Sequence, residues 1–394
     1  MKFYLNDLGL VSPVGDSKTE SLKRILSGDR TGLVLAEDPL TGNSVYVGKV
    51  QANLPVLDTA ASVYYNCRNN QLLLTALAQI KDTVDGMIRR FGENRVGVVI
   101  GTSTSGLNNT EAAWADVVKT GHKPGSFHYK QQQLAGGADF LAAYLGIKGP
   151  AYAISTACSS SGRAFASARR LLALNICDAV IVGGADSLCR YTVHGFAALE
   201  SVATGLCKPF GLHRDGINIA ESAALFVMSK EKGPVQLSGI GASSDAHHFS
   251  APAPAGKTVM KAMQMALQEA GKTADSIDYI NLHGTATPLN DAMESRSVAE
   301  VFAGHPAVSS TKGMTGHALG AAAALELGLC WLLLASDDPS GELPPNINGD
   351  ELDTKLPTLN FARPGQYLGR KITTCQSNSF AFGGNNISIV MARA

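Results

Sequence analysis

The chain has 394 residues, of which 45% are hydrophobic and 6% aromatic, with 41 glycines. That is enough apolar material for two domains or one duplicated unit, and the glycine count suits an α/β protein with many tight strand–helix turns. Lys plus Arg equals Asp plus Glu at 33 each, which argues against a chain dedicated to nucleic acid or membrane surfaces, although a local basic patch is compatible with a balanced total.

The opening Met1-Lys-Phe-Tyr-Leu-Asn-Asp7 does not read as a secretory leader, because Asp7 interrupts a very short apolar run. The seven cysteines are odd in number and form no CxxC pair, so reduced thiols and a cytoplasmic location are expected.

In chain order, the pattern predicts a helix over Gln71 to Arg90 and a buried strand over Val96 to Ile100. A strand-like run, Ala151-Tyr-Ala-Ile-Ser-Thr-Ala, then leads into Cys158 and an Ala-rich helix. A thiol at a helix N-terminus meets unpaired N–H groups, which favour its thiolate and can also hold an oxyanion. A further strand is expected over Ala179 to Val182, and a boundary between halves near Lys232-Gly-Pro234.

The second half opens with a predicted helix over Thr258 to Ala270, then a strand over Ile277 to Leu282 that ends at His283. His283-Gly-Thr285-Ala-Thr287 forms a polar turn at a strand C-terminus, where α/β proteins place their sites; Asp291 and Glu294 follow it. Lys312 and His317 lie on a Gly-rich approach to the apolar stretch Leu319 to Ala335, which carries Glu326 and reads as a buried helix rather than a membrane span. This helix looks like the counterpart of the one after Cys158. A Gly-rich loop, Phe380-Ala-Phe382-Gly383-Gly384, feeds the final predicted strand over Ile387 to Met391.

Singly, each feature has an ordinary structural reading, since a buried cysteine is most often a small hydrophobe. The six other cysteines read as packing residues. His247-His248 lacks a suitably spaced third ligand, so no metal site is expected. Neither a GxGxxG turn between strand and helix nor a P-loop occurs. The four segments in this order are far more specific than any one of them.

On Thr156-Ala-Cys158-Ser-Ser, His283-Gly-Thr-Ala-Thr-Pro, Thr311-Lys312-Gly-Met-Thr-Gly-His317 and Asn378-Ser-Phe-Ala-Phe382-Gly-Gly, the chain resembles the elongating β-ketoacyl-[acyl-carrier-protein] synthases of the thiolase superfamily. The resemblance runs over essentially the whole chain. It implies an α/β thiolase fold, five-layered αβαβα, with two pseudo-repeated halves at 1–232 and 233–394, and a homodimer or a heterodimer of ketosynthase and chain length factor. It implies that Cys158 accepts an acyl chain from the phosphopantetheine of acyl carrier protein, so that no cofactor of its own is needed. His283 and His317 would support malonyl decarboxylation, with Lys312 and Glu326 orienting the network. The backbone N–H groups of Cys158 and Phe382 would form an oxyanion hole. Thr285 and Thr287 would bind the phosphopantetheine arm, and Phe382 beside Gly383 would gate the acyl pocket. Lys208 is the expected carrier contact, with Arg68 and Lys130 as weaker candidates. Acyl length would depend on side chains around Ser103 to Asn109 and Phe196 to Val202.

Two histidines with one cysteine set the chain apart from relatives. Degradative thiolases carry a second cysteine in the last glycine-rich segment, where this chain has Phe380 and Phe382. Initiating synthases usually carry asparagine where His317 stands. Departures from the family pattern occur at Gly211, Ala220 and Ser222 near the pocket entrance, and at Ala381 and Asn385. They leave the chemistry intact and point to a specialised acyl pathway, such as polyene or aryl polyene synthesis. Two alternatives stay open: a non-catalytic tunnel-shaping subunit, which usually lacks the cysteine, and a thiolase acting on coenzyme A thioesters.

Overall fold

The computed structural model describes residues 1–37, 42, 44–57 and 62–394. Its strands are β1 (Phe3–Val11), β2 (Leu33–Glu37), β3 (Ser44–Gly48), β4 (Val96–Gly101), β5 (Ala151–Ile154), β6 (Ala179–Asp186), β7 (Ser222–Ser229), β8 (Val235–Ser244), β9 (Tyr279–Asn281), β10 (Ala307–Ser309), β11 (Thr374–Phe380) and β12 (Asn385–Arg393). β2 and β3 form a separate two-stranded sheet, and the remaining strands form one ten-stranded sheet.

The sheet order is β10-β9-β11-β12-β8-β1-β7-β6-β4-β5. Counted within its own half, each set of five strands has the same order and the same directions. β4 runs parallel to β5 and β6, as β9 does to β10 and β11, while the other neighbours are antiparallel. The fold is therefore the thiolase arrangement of two pseudo-repeated α/β halves. The halves share an edge where β1 and β8 pair antiparallel, Phe3 opposite Leu237 and Leu5 opposite Val235.

Helices Ser160–Ala173 and Ala322–Ala335 occupy matching places, each between the third and fourth strand of its half. They pack against each other and against strands of both halves, which makes them the middle layer. Helices Arg68–Ala78 and Lys257–Ala270 cover the outer faces. From Ala322 to Leu334 every residue is buried, which explains a sequence with no polar stripe. Gly184 permits close approach of β6 to this layer, since a Cβ there would lie 2.7 Å from the Ser161 side chain.

Two predicted elements differ. The single helix over Gln71 to Arg90 is two, Arg68–Ala78 and Lys81–Phe91. The Gln79 amide instead bonds the main chain of Leu10 and the Asp16 carbonyl, and Ile80 leaves helical geometry at φ −123°. The strand expected to end at His283 stops at Asn281, and Glu294 holds the following turn. Among the described residues no helix is long and apolar enough to cross a membrane.

Candidate active site

Cys158 lies in the turn between β5 and helix Ser160–Ala173, one residue before the N-cap Ser159 rather than inside the helix. Ala157 adopts φ +52°, a left-handed conformation that costs a non-glycine residue on the order of 1 kcal/mol or more. Hydrogen bonds hold that turn: Thr156 N–H donates to Ser160 Oγ at 2.8 Å, and Ser159 Oγ donates to the Thr156 carbonyl at 2.8 Å. The thiol is 5% exposed.

The expectation of a favoured thiolate does not hold. Burial pushes the Cys158 pKa up to about 11, against the opposing pull of the Lys312 charge and of the N–H groups of Phe382 and Cys158 itself. Those two N–H groups converge on Sγ, while His317 Nε2 stands 3.1 Å from it.

The histidine tautomers follow from their partners. Leu319 N–H donates to His317 Nδ1 at 3.1 Å, which leaves the ring proton on Nε2, facing the sulfur. Lys312 Nζ lies 3.5 Å from His283 Nδ1 and donates to the His283 carbonyl at 2.6 Å, so His283 also carries its proton on Nε2. The rings stand 5.5 Å apart and nearly perpendicular. Burial, and then the Lys312 charge, hold both imidazoles well below the usual histidine range, hence neutral at neutral pH. Lys312 also forms a buried ion pair with Glu326, whose carboxyl is raised by burial to about 7. Two neutral Nε2–H donors and two backbone N–H groups around one sulfur can stabilise negative charge on two carbonyl oxygens.

The acids on helix Pro288–Phe302 hold the His283 turn. Glu294 accepts the N–H groups of His283 and Gly284 at 2.8 and 2.7 Å, and Asp291 accepts that of Phe210 at 2.8 Å. Burial lifts their pKa values to about 7 and about 6. The Thr285 and Thr287 hydroxyls are 2.8 Å apart.

Cys158, His283 and His317 line a cavity of about 260 Å³. Its walls include Thr285, Thr287, Phe196, Leu199, Ile217 and Phe382. The Phe382 ring lies 5.5 Å from that of Phe196, and Gly383 takes φ +78°, which a side chain would disfavour.

Of the two segments expected to shape the pocket, Phe196 to Ser201 does so, whereas Ser103 to Asn109 is not among the lining residues. The N–H groups of Ser103 and Thr104 are instead turned onto the buried Asp186 carboxylate. Arg68 is not a free surface cation, because its Nε donates at 2.7 Å to the buried Glu221. Lys208 is half-buried, and Lys130 is exposed beside the Tyr64 ring. Sequence reasoning placed Phe380 in the terminal Gly-rich motif without giving it a role; its ring packs against His283. It missed Asp186, which carries no local motif that marks it.

The donor atoms of Cys158, His283 and His317 lie within 4.8 Å of one another, close enough to suggest a metal. The chemistry opposes one. A metal needs the Nε2 lone pairs, which carry protons here, and the Lys312 ammonium would repel it.

Residues 70–233 match the protein-family model for the β-ketoacyl synthase N-terminal domain, and residues 235–350 that for the C-terminal domain. The chain is 30% identical over its whole length to a 3-oxoacyl-[acyl-carrier-protein] synthase 2 of Coxiella burnetii, covering 98% of that protein. It is 32% identical to nodulation protein E of Rhizobium meliloti over 74% of each chain. Among solved structures, a ketosynthase (ApeO) in complex with its chain length factor (ApeC) from Xenorhabdus doucetiae is 42% identical, with a TM-score of 0.95 and coverage of 100% and 98%. Matched by both domains and end to end by such relatives, the chain belongs to the β-ketoacyl synthase family, acyltransferases of the thiolase superfamily.

Proposed function

We propose that this protein extends an acyl chain by decarboxylative Claisen condensation. Acyl and malonyl units both arrive on acyl carrier protein, and a 3-oxoacyl thioester leaves on it. The observation that carries this reading is the convergence on one buried sulfur of the His317 Nε2–H, at 3.1 Å, and the N–H groups of Cys158 and Phe382.

In the first step Cys158 Sγ attacks the acyl thioester carbonyl, and the carbon–sulfur bond to pantetheine breaks. The high thiol pKa keeps the proton on sulfur until then, and it passes to the departing pantetheine sulfur. The N–H groups of Cys158 and Phe382 take the oxyanion. In the second step the malonyl thioester loses carbon dioxide, and His283 and His317 hold the enolate oxygen through their Nε2–H groups. The enolate carbon attacks the Cys158 thioester, the bond to Sγ breaks, and the thiolate regains a proton from solvent. Lys312 and Glu326 fix the His283 ring, and Asp291 and Glu294 fix its turn. Thr285 and Thr287 hold the pantetheine arm, Phe382 and Gly383 form the gate, and Lys208 contacts the acidic carrier. The reaction draws on the carrier's phosphopantetheine and needs no metal or cofactor of the protein's own.

The units 1–232 and 233–394 are the two functional halves, and the protein works in the cytoplasm as one subunit of a dimer. A partner resembling a chain length factor is favoured over a second copy, because the 42% identical ketosynthase was solved with its chain length factor. The departures at Gly211, Ala220 and Ser222 favour a specialised acyl pathway, of the polyene or aryl polyene kind, over bulk fatty-acid synthesis. Intact-mass and peptide spectrometry after incubation with acyl-carrier thioesters tests the assignment, with the candidate partner subunit added in a second arm. Acyl mass on Cys158 is expected, and the preferred chain is read from the same spectrum. Acylation elsewhere, or full condensation by purified Cys158→Ala, would remove its basis.

A further inference from the structure

Asp186 ends β6 in the half that carries Cys158, and it is fully buried. Its Oδ1 accepts from Thr102 Oγ1 at 2.6 Å, from the N–H groups of Ser103 and Thr104 at 2.8 Å each, and from Thr104 Oγ1 at 2.9 Å. Its Oδ2 accepts a weaker bond from Ser103 N–H at 3.1 Å and one from Ala321 N–H at 3.2 Å. The Ala321 donor belongs to the other half and is shared, since it also bonds the Ala318 carbonyl at 3.0 Å within its own turn, so Asp186 is its second acceptor.

Ala321 closes the short turn Leu319–Ala321, whose first N–H donates to His317 Nδ1. Leu319 sits at φ +50°, a conformation that persists only where the surroundings enforce it. The His317 main chain is pinned separately, its N–H donating to the Asn218 carbonyl at 2.7 Å and its carbonyl accepting from Ala220 N–H at 2.9 Å. What the turn controls is therefore the ring. Gly320 lets the two halves meet, since a Cβ there would fall 2.7 Å from Ser103 N and 2.8 Å from Asp186 Oδ2.

We propose that Asp186 is a positioning residue for the condensation: by holding Ala321 it keeps the Leu319 N–H on His317 Nδ1, and so the ring proton on Nε2 facing Cys158. The proposal rests on the function given above for its kinetic consequence, but its structural claim does not need it.

Asp186→Asn separates the two sides of the carboxylate. The amide oxygen stays where four donors meet, so the NH2 group takes the place of Oδ2 and faces Ala321 N–H, donor against donor. NMR of protein labelled with 15N-histidine reads the tautomer directly. The variant should move His317 from the Nε2–H form to a mixture, and lower condensation kcat about tenfold with KM for the malonyl carrier within about twofold. Thr104→Val removes a donor from the same carboxylate but keeps the Ala321 contact; it should lose stability while retaining the tautomer and kcat within about twofold. Gly320→Ala attacks the contact from the other side and should reproduce the Asp186→Asn signature, and it decides the matter if Asp186→Asn does not fold. A wild-type tautomer in the folded variant overturns the proposal, as does an equal tautomer shift in Thr104→Val. The tautomer is read without substrate, so a failure of the proposed reaction would show in wild-type turnover and leave this readout intact.

Discussion

The two halves repeat one strand order and place one buried helix at one topological position, yet they begin those helices differently. The first half starts with a thiol behind a left-handed Ala157, and the second with an imidazole ahead of a left-handed Leu319. The first helix keeps Arg163, Arg169 and Arg170, whereas Ala322 to Leu334 is wholly buried with Glu326 as its one charge. The repeated topology thus gives two facing helix starts that carry different side-chain chemistry. Under the proposed function, the first would carry the group that bonds to substrate, and the second, with the neighbouring His283 turn, the groups that stabilise charge.

The sharpest way to break that division is to silence one half at a time. Cys158→Ala should abolish covalent acylation completely while leaving slow malonyl decarboxylation, measured as carbon dioxide release. His317→Ala and His283→Ala should do the reverse, cutting decarboxylation by about 10²- to 10³-fold and acyl transfer much less. Equal loss of both steps in all three variants would mean the halves do not divide the chemistry.

The charge buried in the second half gives the next largest effect, on stability. Glu326→Leu leaves the Lys312 ammonium unpaired in a site where both are 2% exposed, and should cost about 3–5 kcal/mol in urea denaturation. Adding Lys312→Met should restore most of that stability without restoring turnover.

A smaller effect concerns pH. The Glu294 pKa is raised from 4.5 to about 7 in the folded protein. The folded state therefore binds this proton more tightly. The resulting stability is complete below the unfolded pKa and is lost as pH rises through the folded one. The stability advantage of wild type over Glu294→Gln should shrink between about pH 5 and pH 7, by on the order of 2 kcal/mol. The smallest change is expected from Lys208→Glu, a few-fold rise in KM for the carrier that fades at high salt.

Much of this was legible in the sequence. Strands at Val96, Ala179 and Ile387 announce themselves by β-branched runs, and the Cys158 and His317 helix starts by small residues after polar turns. Other features depend on partners distant along the chain. Gln79 breaks a helix because Leu10 lies beside it, and Arg68 is tied down because Glu221 is buried below it. The Cys158 pKa is set by burial, which a helix-terminus argument does not contain. Asp186 is one acid at a strand end until the segments at 102–104 and 321 close around it.

The near-complete burial of the imidazole pair also bears on fidelity. An enolate is quenched by the first available proton, and each quench wastes an activated malonyl unit. At 2% exposure each, His283 and His317 have almost no contact with solvent. A pantetheine arm filling the mouth beside Thr285 and Thr287 would shut out the remainder. Under the proposed reaction, carbon dioxide release should then stay tightly coupled to carbon–carbon bond formation whenever Cys158 is loaded.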